Sequence, residues 1–250
     1  RMVGGLGNDR LEGMLGFDIL LGDVGSIDAG GNVTLASGPQ DGNDLLFGHE
    51  DADRLYGQGG NDSLEGAAGR DLLVGGDGAD FLAGGDEVNP TPLVLRPELG
   101  DTIIGEAGPD RIDGGLGLDL VSYTGSPAAV VVDLATGVGL GSDAEGDTFM
   151  RVEDVDGSAF NDVLKAAVIA SQPGQRGSEL RGLAGDDKLV AGPLFMEVPG
   201  GLRIGDDLRG GDGIDILSYE DSTDGVVVNL SQDIYDVVAP RTRHNNVGNL

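Results

Sequence analysis

The sequence predicts an all-β chain, a β-helix solenoid of short repeats interrupted by loop and hairpin excursions. Three observations carry that expectation. A nine-residue period, Gly-Gly-x-Gly-x-Asp-x-apolar-x, recurs in register along much of the chain. The 250 residues include 47 Gly but no Cys or Trp and only 6 Phe and 4 Tyr, too little material for an ordinary globular core. Of the 44 acidic residues 33 are Asp and 11 Glu, and the net charge is -29. Asp suits tight turns and metal coordination, whereas Glu is the better helix former.

The period is complete in GGLGNDRLE at 4–12 and returns as GMLGFDILL at 13–21. Five copies then follow one another: PQDGNDLLF at 39–47, GHEDADRLY at 48–56, GQGGNDSLE at 57–65, GAAGRDLLV at 66–74 and GGDGADFLA at 75–83. Further copies are GEAGPDRID at 105–113, GGLGLDLVS at 114–122, GLAGDDKLV at 182–190 and GGDGIDILS at 210–218, with weaker turns around Asp101, Asp162 and Asp206.

Each position has a physical task. The closing triplet is a minimal strand whose middle residue points inward: Leu11, Leu20, Leu46, Leu55, Leu64, Leu73, Leu82, Ile112, Val121, Leu189 and Leu217 form a thin aliphatic core. The glycines permit positive φ and close backbone approach, so that a six-residue turn can curl its carbonyl oxygens inward. The sixth residue supplies a hard anionic oxygen at the same place in every turn, and Ca²⁺ takes 6 to 8 such oxygens. The candidate ligand positions are Asp9, Asp18, Asp44, Asp53, Asp62, Asp71, Asp80, Asp101, Asp110, Asp119, Asp162, Asp187, Asp206 and Asp215. With them go the turn glycines Gly5, Gly7, Gly42, Gly59, Gly60, Gly69, Gly76, Gly78, Gly108, Gly115, Gly117, Gly185, Gly211 and Gly213.

These nonamers resemble the repeats-in-toxin (RTX) family, the haemolysin-type calcium-binding repeats. The resemblance implies a right-handed parallel β-roll in which two nonamers make one coil and several Ca²⁺ ions sit between the turns of successive coils. Asp44 and Asp62 would then face one column of ions, and Asp53 and Asp71 the other. Some turns depart from the pattern. Asp51-Ala52 replaces Gly-x, Ser178 stands where Asp is expected, and Leu99 and Ile204 replace a turn glycine.

Along the chain, the expected organisation is the end of a truncated roll at 1–22, an insertion at 23–38 and a main roll at 39–122 with a Pro-rich loop at 87–99. A β-rich excursion at 123–160, a second roll at 161–218 and a terminal strand and tail at 219–250 follow. Residues 1–3 read as the last triplet of an earlier nonamer, with Met2 inward, so the parent array is expected to begin upstream. The segments 114–134 and 210–230 share 11 identities in 21 positions; in each, a nonamer ends in Tyr123 or Tyr219 and leads to VVVDL or VVVNL, expected to cover an end or edge of the roll. Both tyrosines read as packing residues. Glu153, Asp154 and Asp156 read equally as further ligands or as a solvated turn.

Such a polyanion is a poor partner for nucleic acid, and its apolar runs are too short to span a bilayer. There is no His-Glu-x-x-His helix, and His49 and His244 lie far apart. Without Cys or a Gly-x-Ser-x-Gly elbow the usual nucleophile signatures are missing, and the chain is expected to be no enzyme. The leading functional expectation is a module of a larger secreted or cell-surface protein, which folds on extracellular Ca²⁺ and supports type I secretion, with flanking domains and secretion machinery as partners. A spacer or binding face of an adhesin or surface-layer protein, or the non-catalytic carrier of a secreted hydrolase or epimerase, is the alternative.

Overall fold

The computed structural model describes residues 1–36, 38, 40–86, 100–167, 177–192, 206–221 and 236–238. The Pro-rich loop at 87–99 with Leu99, residues 193–205 of the second roll with Ile204, the VVVNL segment and most of the tail lie outside the described residues. Nearly all regular structure is β, gathered into a nine-stranded sheet, a twelve-stranded sheet and one two-stranded hairpin. Among the described residues the only helical element is a single 3-10 turn, Ser142–Ala144.

The nonamers alternate between the two sheets. Leu45–Glu50, Ser63–Ala68 and Phe81–Asp86 lie side by side and parallel in the larger sheet; Arg54–Gly59 and Leu72–Asp77 do so in the smaller one. Parallel partners such as Leu46 and Leu64, or Leu55 and Leu73, stand eighteen residues apart, so one coil is two nonamers. The inward positions therefore stack into columns: Leu46, Leu64, Leu82 and Ile112 on one wall, Leu55, Leu73, Ile103 and Val121 on the other. All eight are fully buried. Each aliphatic side chain so removed from water contributes ~1.5–3 kcal/mol of hydrophobic stabilisation.

The segment at 23–38 is a hairpin, Gly25–Ile27 against Val33–Leu35. Its turn is closed by the Asp28 carboxylate, which accepts from the Gly30 and Asn32 backbone N–H groups and from Asn32 Nδ2. Ile27 and Val33 pack on Ile19, Leu21, Tyr56 and Val74, making a second small core on the outside of the smaller sheet. Gln58 Nε2 donates to the Val24 and Ala36 carbonyls, both at 2.9 Å, and fastens the base of the hairpin to the roll.

The VVVDL segment does not cover an end of the roll. Val131–Asp133 enters the middle of the larger sheet, antiparallel to Val138–Leu140 and parallel to Val163–Lys165. Val138–Leu140 is in turn antiparallel to Thr148–Met150, so a short meander is spliced between two parallel stretches. The reason is burial: Val130 and Val132 are fully enclosed, continuing the core column across the splice. On the other wall there is no interruption, because Asp154–Asp156 stacks directly between Leu120–Ser122 and Glu179–Ala184. Tyr123 is buried in the core, as its packing role requires.

Candidate calcium-binding turns

Most turns end in an aspartate placed immediately before a strand, with Glu153 and Ser178 in that place in two of them, and these residues form ladders. The backbone N–H of one donates to Oδ1 of its counterpart one coil on: Asp9 to Asp44, Asp44 to Asp62, Asp62 to Asp80, Asp80 to Asp110 and Asp110 to Asp147, all at 2.8–2.9 Å. The opposite edge repeats the pattern from Asp18 to Asp53, Asp71, Asp101 and Asp119, and closes on Glu153 Oε2 at 3.1 Å. Beyond the meander a third ladder runs from the Val130 N–H to Asp162, Asp187 and Asp215, and Ser178 donates to Asp206.

The hydrogen-bonded oxygen leaves the other carboxylate oxygen over. Oδ2 of Asp9, Asp44, Asp53, Asp62, Asp71, Asp80, Asp110, Asp119, Asp187 and Asp215 is buried and meets no donor. An enclosed, unsatisfied polar atom costs about 1–3 kcal/mol, and more when it carries charge. Ten such atoms at equivalent positions are the donor set a hard cation requires. Among the described residues no three His, Asp or Glu side chains converge on one point. An ion here would therefore be shared between carboxylates of adjacent coils and completed by turn carbonyls.

The remaining candidates differ. Asp18 is partly exposed, and Asp101 is buried within its ladder. Asp162 has both oxygens engaged, Oδ2 by the Ser158 N–H at 2.5 Å and Oδ1 by Ser158 Oγ at 2.8 Å and the Val130 N–H. Asp206 likewise accepts from the Ser178 and Gly192 N–H groups.

Burial drives the electrostatics. Desolvation, reinforced by neighbouring carboxylates, raises Asp44, Asp53, Asp80, Asp119 and Asp187 to about 6, Asp62 and Asp71 to about 7, and Asp110 to about 8, against the lowering effect of the ladder N–H bonds. Removal from water alone makes the charged form unfavourable; a bound cation reverses that preference.

Two kinds of glycine shape the turn. Gly5, Gly7, Gly60, Gly69, Gly76, Gly78, Gly108, Gly115, Gly117, Gly185, Gly211 and Gly213 all have positive φ, whereas Gly42 and Gly59 do not. A Cβ on Gly78 would fall 1.5 Å from the Gly60 carbonyl oxygen of the coil before, so only glycine lets the turns stack this closely. Position two of the nonamer is left-handed even without glycine, as in Met14, His49, Gln58, Ala67, Glu106 and Leu183, and Asp51 takes the left-handed conformation of the glycine it replaces at position four.

The first glycine of each nonamer was not among the residues singled out from sequence, yet it cradles the aspartate. A Cβ on Gly57 would lie 2.3 Å from Asp62 Oδ2, and one on Gly75 would lie 2.3 Å from Asp80 Oδ2. Gly22 holds the same place against Asp44, although the hairpin separates the two in sequence. Asp147 and Glu153, which close two ladders, also escaped notice as ladder members, as did Asp23, which is fully buried and accepts from the Gly42 and Gly59 N–H groups. For Asp147 the available signal was Asp-x-apolar, in Asp147-Thr148-Phe149. Asp154 accepts from the Glu179 N–H, and Asp156 pairs with Arg181, so this segment belongs to the sheet and is no solvated turn.

The RTX calcium-binding nonapeptide repeat model matches in four copies, at residues 2–26, 40–64, 56–88 and 98–124. Comparison with curated proteins finds no match. Repeats of this type bind Ca²⁺, and multiple copies imply several ions. The structure carries the same ladder and the same glycine cradle past the matched residues, to Asp187 over Gly182 and Asp215 over Gly210. Over residues 2–124 the chain therefore carries RTX calcium-binding nonapeptide repeats.

Proposed function

We propose that this chain is a calcium-folded module of a larger exported protein, which stays unfolded where Ca²⁺ is scarce and locks into the roll outside the cell. Asp9, Asp44, Asp53, Asp62, Asp71, Asp80, Asp110, Asp119, Asp187 and Asp215 hold the ions, with carbonyls of the turn glycines completing the shell. Asp18 contributes at the end of its ladder and Asp101 within it, and Asp162 and Asp206 serve as hydrogen-bond anchors. The bound cation supplies charge neutralisation and cross-links adjacent coils. The chain's own part is to present oxygens on a fixed spacing and to exclude water from them.

The observation that carries this reading is the row of buried carboxylate oxygens without donors. Stacked turns repeat at roughly 4.8 Å, and unneutralised carboxylates at that spacing repel by about 1 kcal/mol per pair even in water. A binding site that exists only in the native state couples metal binding to folding. Delayed folding of this kind suits passage through an export channel, with secretion machinery and flanking domains as partners and an extracellular or cell-surface destination.

The test is removal of the ions. Dialysis of the chain against EDTA should abolish the β circular dichroism and enlarge the hydrodynamic radius, with recovery at millimolar Ca²⁺; a chain equally compact in both conditions contradicts the proposal. Mg²⁺ should restore little, since it demands near-octahedral geometry and sheds water reluctantly.

A further inference from the structure

Resting on the calcium reading above, we propose that two side-chain hydroxyls, Tyr123 and Ser158, close the ion column on either side of the meander, leaving a metal-free seam held by protein donors alone. The column on the larger-sheet edge reaches Asp110, whose Oδ2 still meets no donor. At the next rung the pattern changes. Asp147 is fully buried and accepts the Asp110 N–H through Oδ1, as every rung does, but its Oδ2 accepts Tyr123 Oη–H at 2.6 Å. The phenol is placed where the other rungs leave an oxygen for a cation.

Across the meander the distal column opens in the same manner. Asp162 keeps the ladder bond, from the Val130 N–H, while Ser158 donates to both its oxygens, N–H to Oδ2 and Oγ–H to Oδ1. Free oxygens reappear only at Asp187 and Asp215.

Topology explains why the caps sit here. An ion in this column needs a second turn stacked one coil away. Beyond Thr148–Met150 the neighbouring strand is antiparallel Val138–Leu140, so no aspartate turn follows in register. A carboxylate left uncapped at that point would be buried with neither donor nor cation. A neutral hydroxyl satisfies it without adding charge, and Tyr123 reaches Asp147 because its own backbone is anchored in the opposite sheet by an N–H bond to the Asp156 carbonyl.

The experiment is a count of bound Ca²⁺ by calorimetry on the whole chain, compared among six variants. Asp80→Asn and Asp187→Asn should each lower the count by at least one. Asp147→Asn and Asp162→Asn should leave it at the native value, and a lower count in either variant that still folds in Ca²⁺ overturns the seam. Tyr123→Phe and Ser158→Ala keep both carboxylates and ask the same question without a change of charge. Their counts should equal or exceed the native one, and a fall would mean that the hydroxyls support an ion instead of replacing it. A native chain that binds no Ca²⁺ would sink the calcium reading itself, whereas a native chain with several ions and a deficient Asp147→Asn variant would sink only the seam.

Discussion

At the scale of single residues, the nonamer's glycines divide into those that bend and those that make room. Gly75 belongs to the second kind: its φ is not positive, but a Cβ there would collide with Asp80 Oδ2 at 2.3 Å and with the Gly105 carbonyl oxygen at 2.9 Å. Gly75→Ala should therefore displace the Asp80 carboxylate and cost at least one bound ion, seen as a lower calorimetric count and a lower melting temperature in Ca²⁺. Ala67 illustrates the other kind. It sits at position two with φ 78, a conformation costing an L-residue roughly 1–2 kcal/mol, of which the extra unfolded-state freedom of glycine returns about 0.5–1. Ala67→Gly should stabilise the Ca²⁺ form by about 0.5 kcal/mol, and a destabilised variant in thermal unfolding would refute the strain argument. Periodicity makes the aspartates legible from sequence, because position six repeats. It cannot distinguish a glycine needed for φ from one needed for space, since both appear as the same letter. Asp147 stayed hidden because its turn, Ser142 to Asp147, lacks glycine at the first, second and fourth positions.

At the scale of elements, each strand contributes one inward side chain, so every core residue is flanked by like residues from the coils before and after. Leu64 lies between Leu46 and Leu82 and is fully buried. Leu64→Ala should cost about 2–5 kcal/mol, because rigid neighbours on both sides prevent collapse of the cavity. Equilibrium unfolding at saturating Ca²⁺ checks this, and a loss below 1 kcal/mol would mean that the ions rather than the aliphatic column hold the coils together. The parallel strands, their eighteen-residue coil and the hairpin at 23–38 follow from local signals: the apolar eighth position, and Gly30-Gly31 between two short runs. The meander does not. Val130-Val131-Val132 reads as a strand from β-branching alone, but which neighbour it pairs with depends on contacts far along the chain, with Val163–Lys165 and Val138–Leu140. A strand suited to an edge and one spliced into a sheet's interior share the same local pattern.

At the scale of the whole molecule, the buried aspartates link the roll to both protons and calcium, with opposite signs. Their folded-state pKa values, about 6 for Asp44 and Asp80, about 7 for Asp62 and Asp71 and about 8 for Asp110, lie above the ordinary carboxylate value near 4. A metal-free roll therefore binds more protons folded than unfolded. The stability gained by protonation is fully present below the unfolded pKa and is lost as pH rises through 6 to 8. Without Ca²⁺ the chain should be most structured near pH 4–5 and least near pH 8. With Ca²⁺ the order reverses, because the ion displaces the same protons: apparent affinity should fall as pH drops from 8 to 5, with protons released on binding in between. The net charge of -29 relaxes on acidification as well, so a specific control is needed. Asp110→Asn removes the group raised furthest and should flatten the limb of the metal-free stability curve near pH 8, while leaving the limb near pH 6 in place. If circular dichroism and hydrodynamic radius show the metal-free chain equally unfolded from pH 8 to pH 5, protonation does not replace the ion, and repulsion among the buried carboxylates is not what keeps the roll unfolded without Ca²⁺.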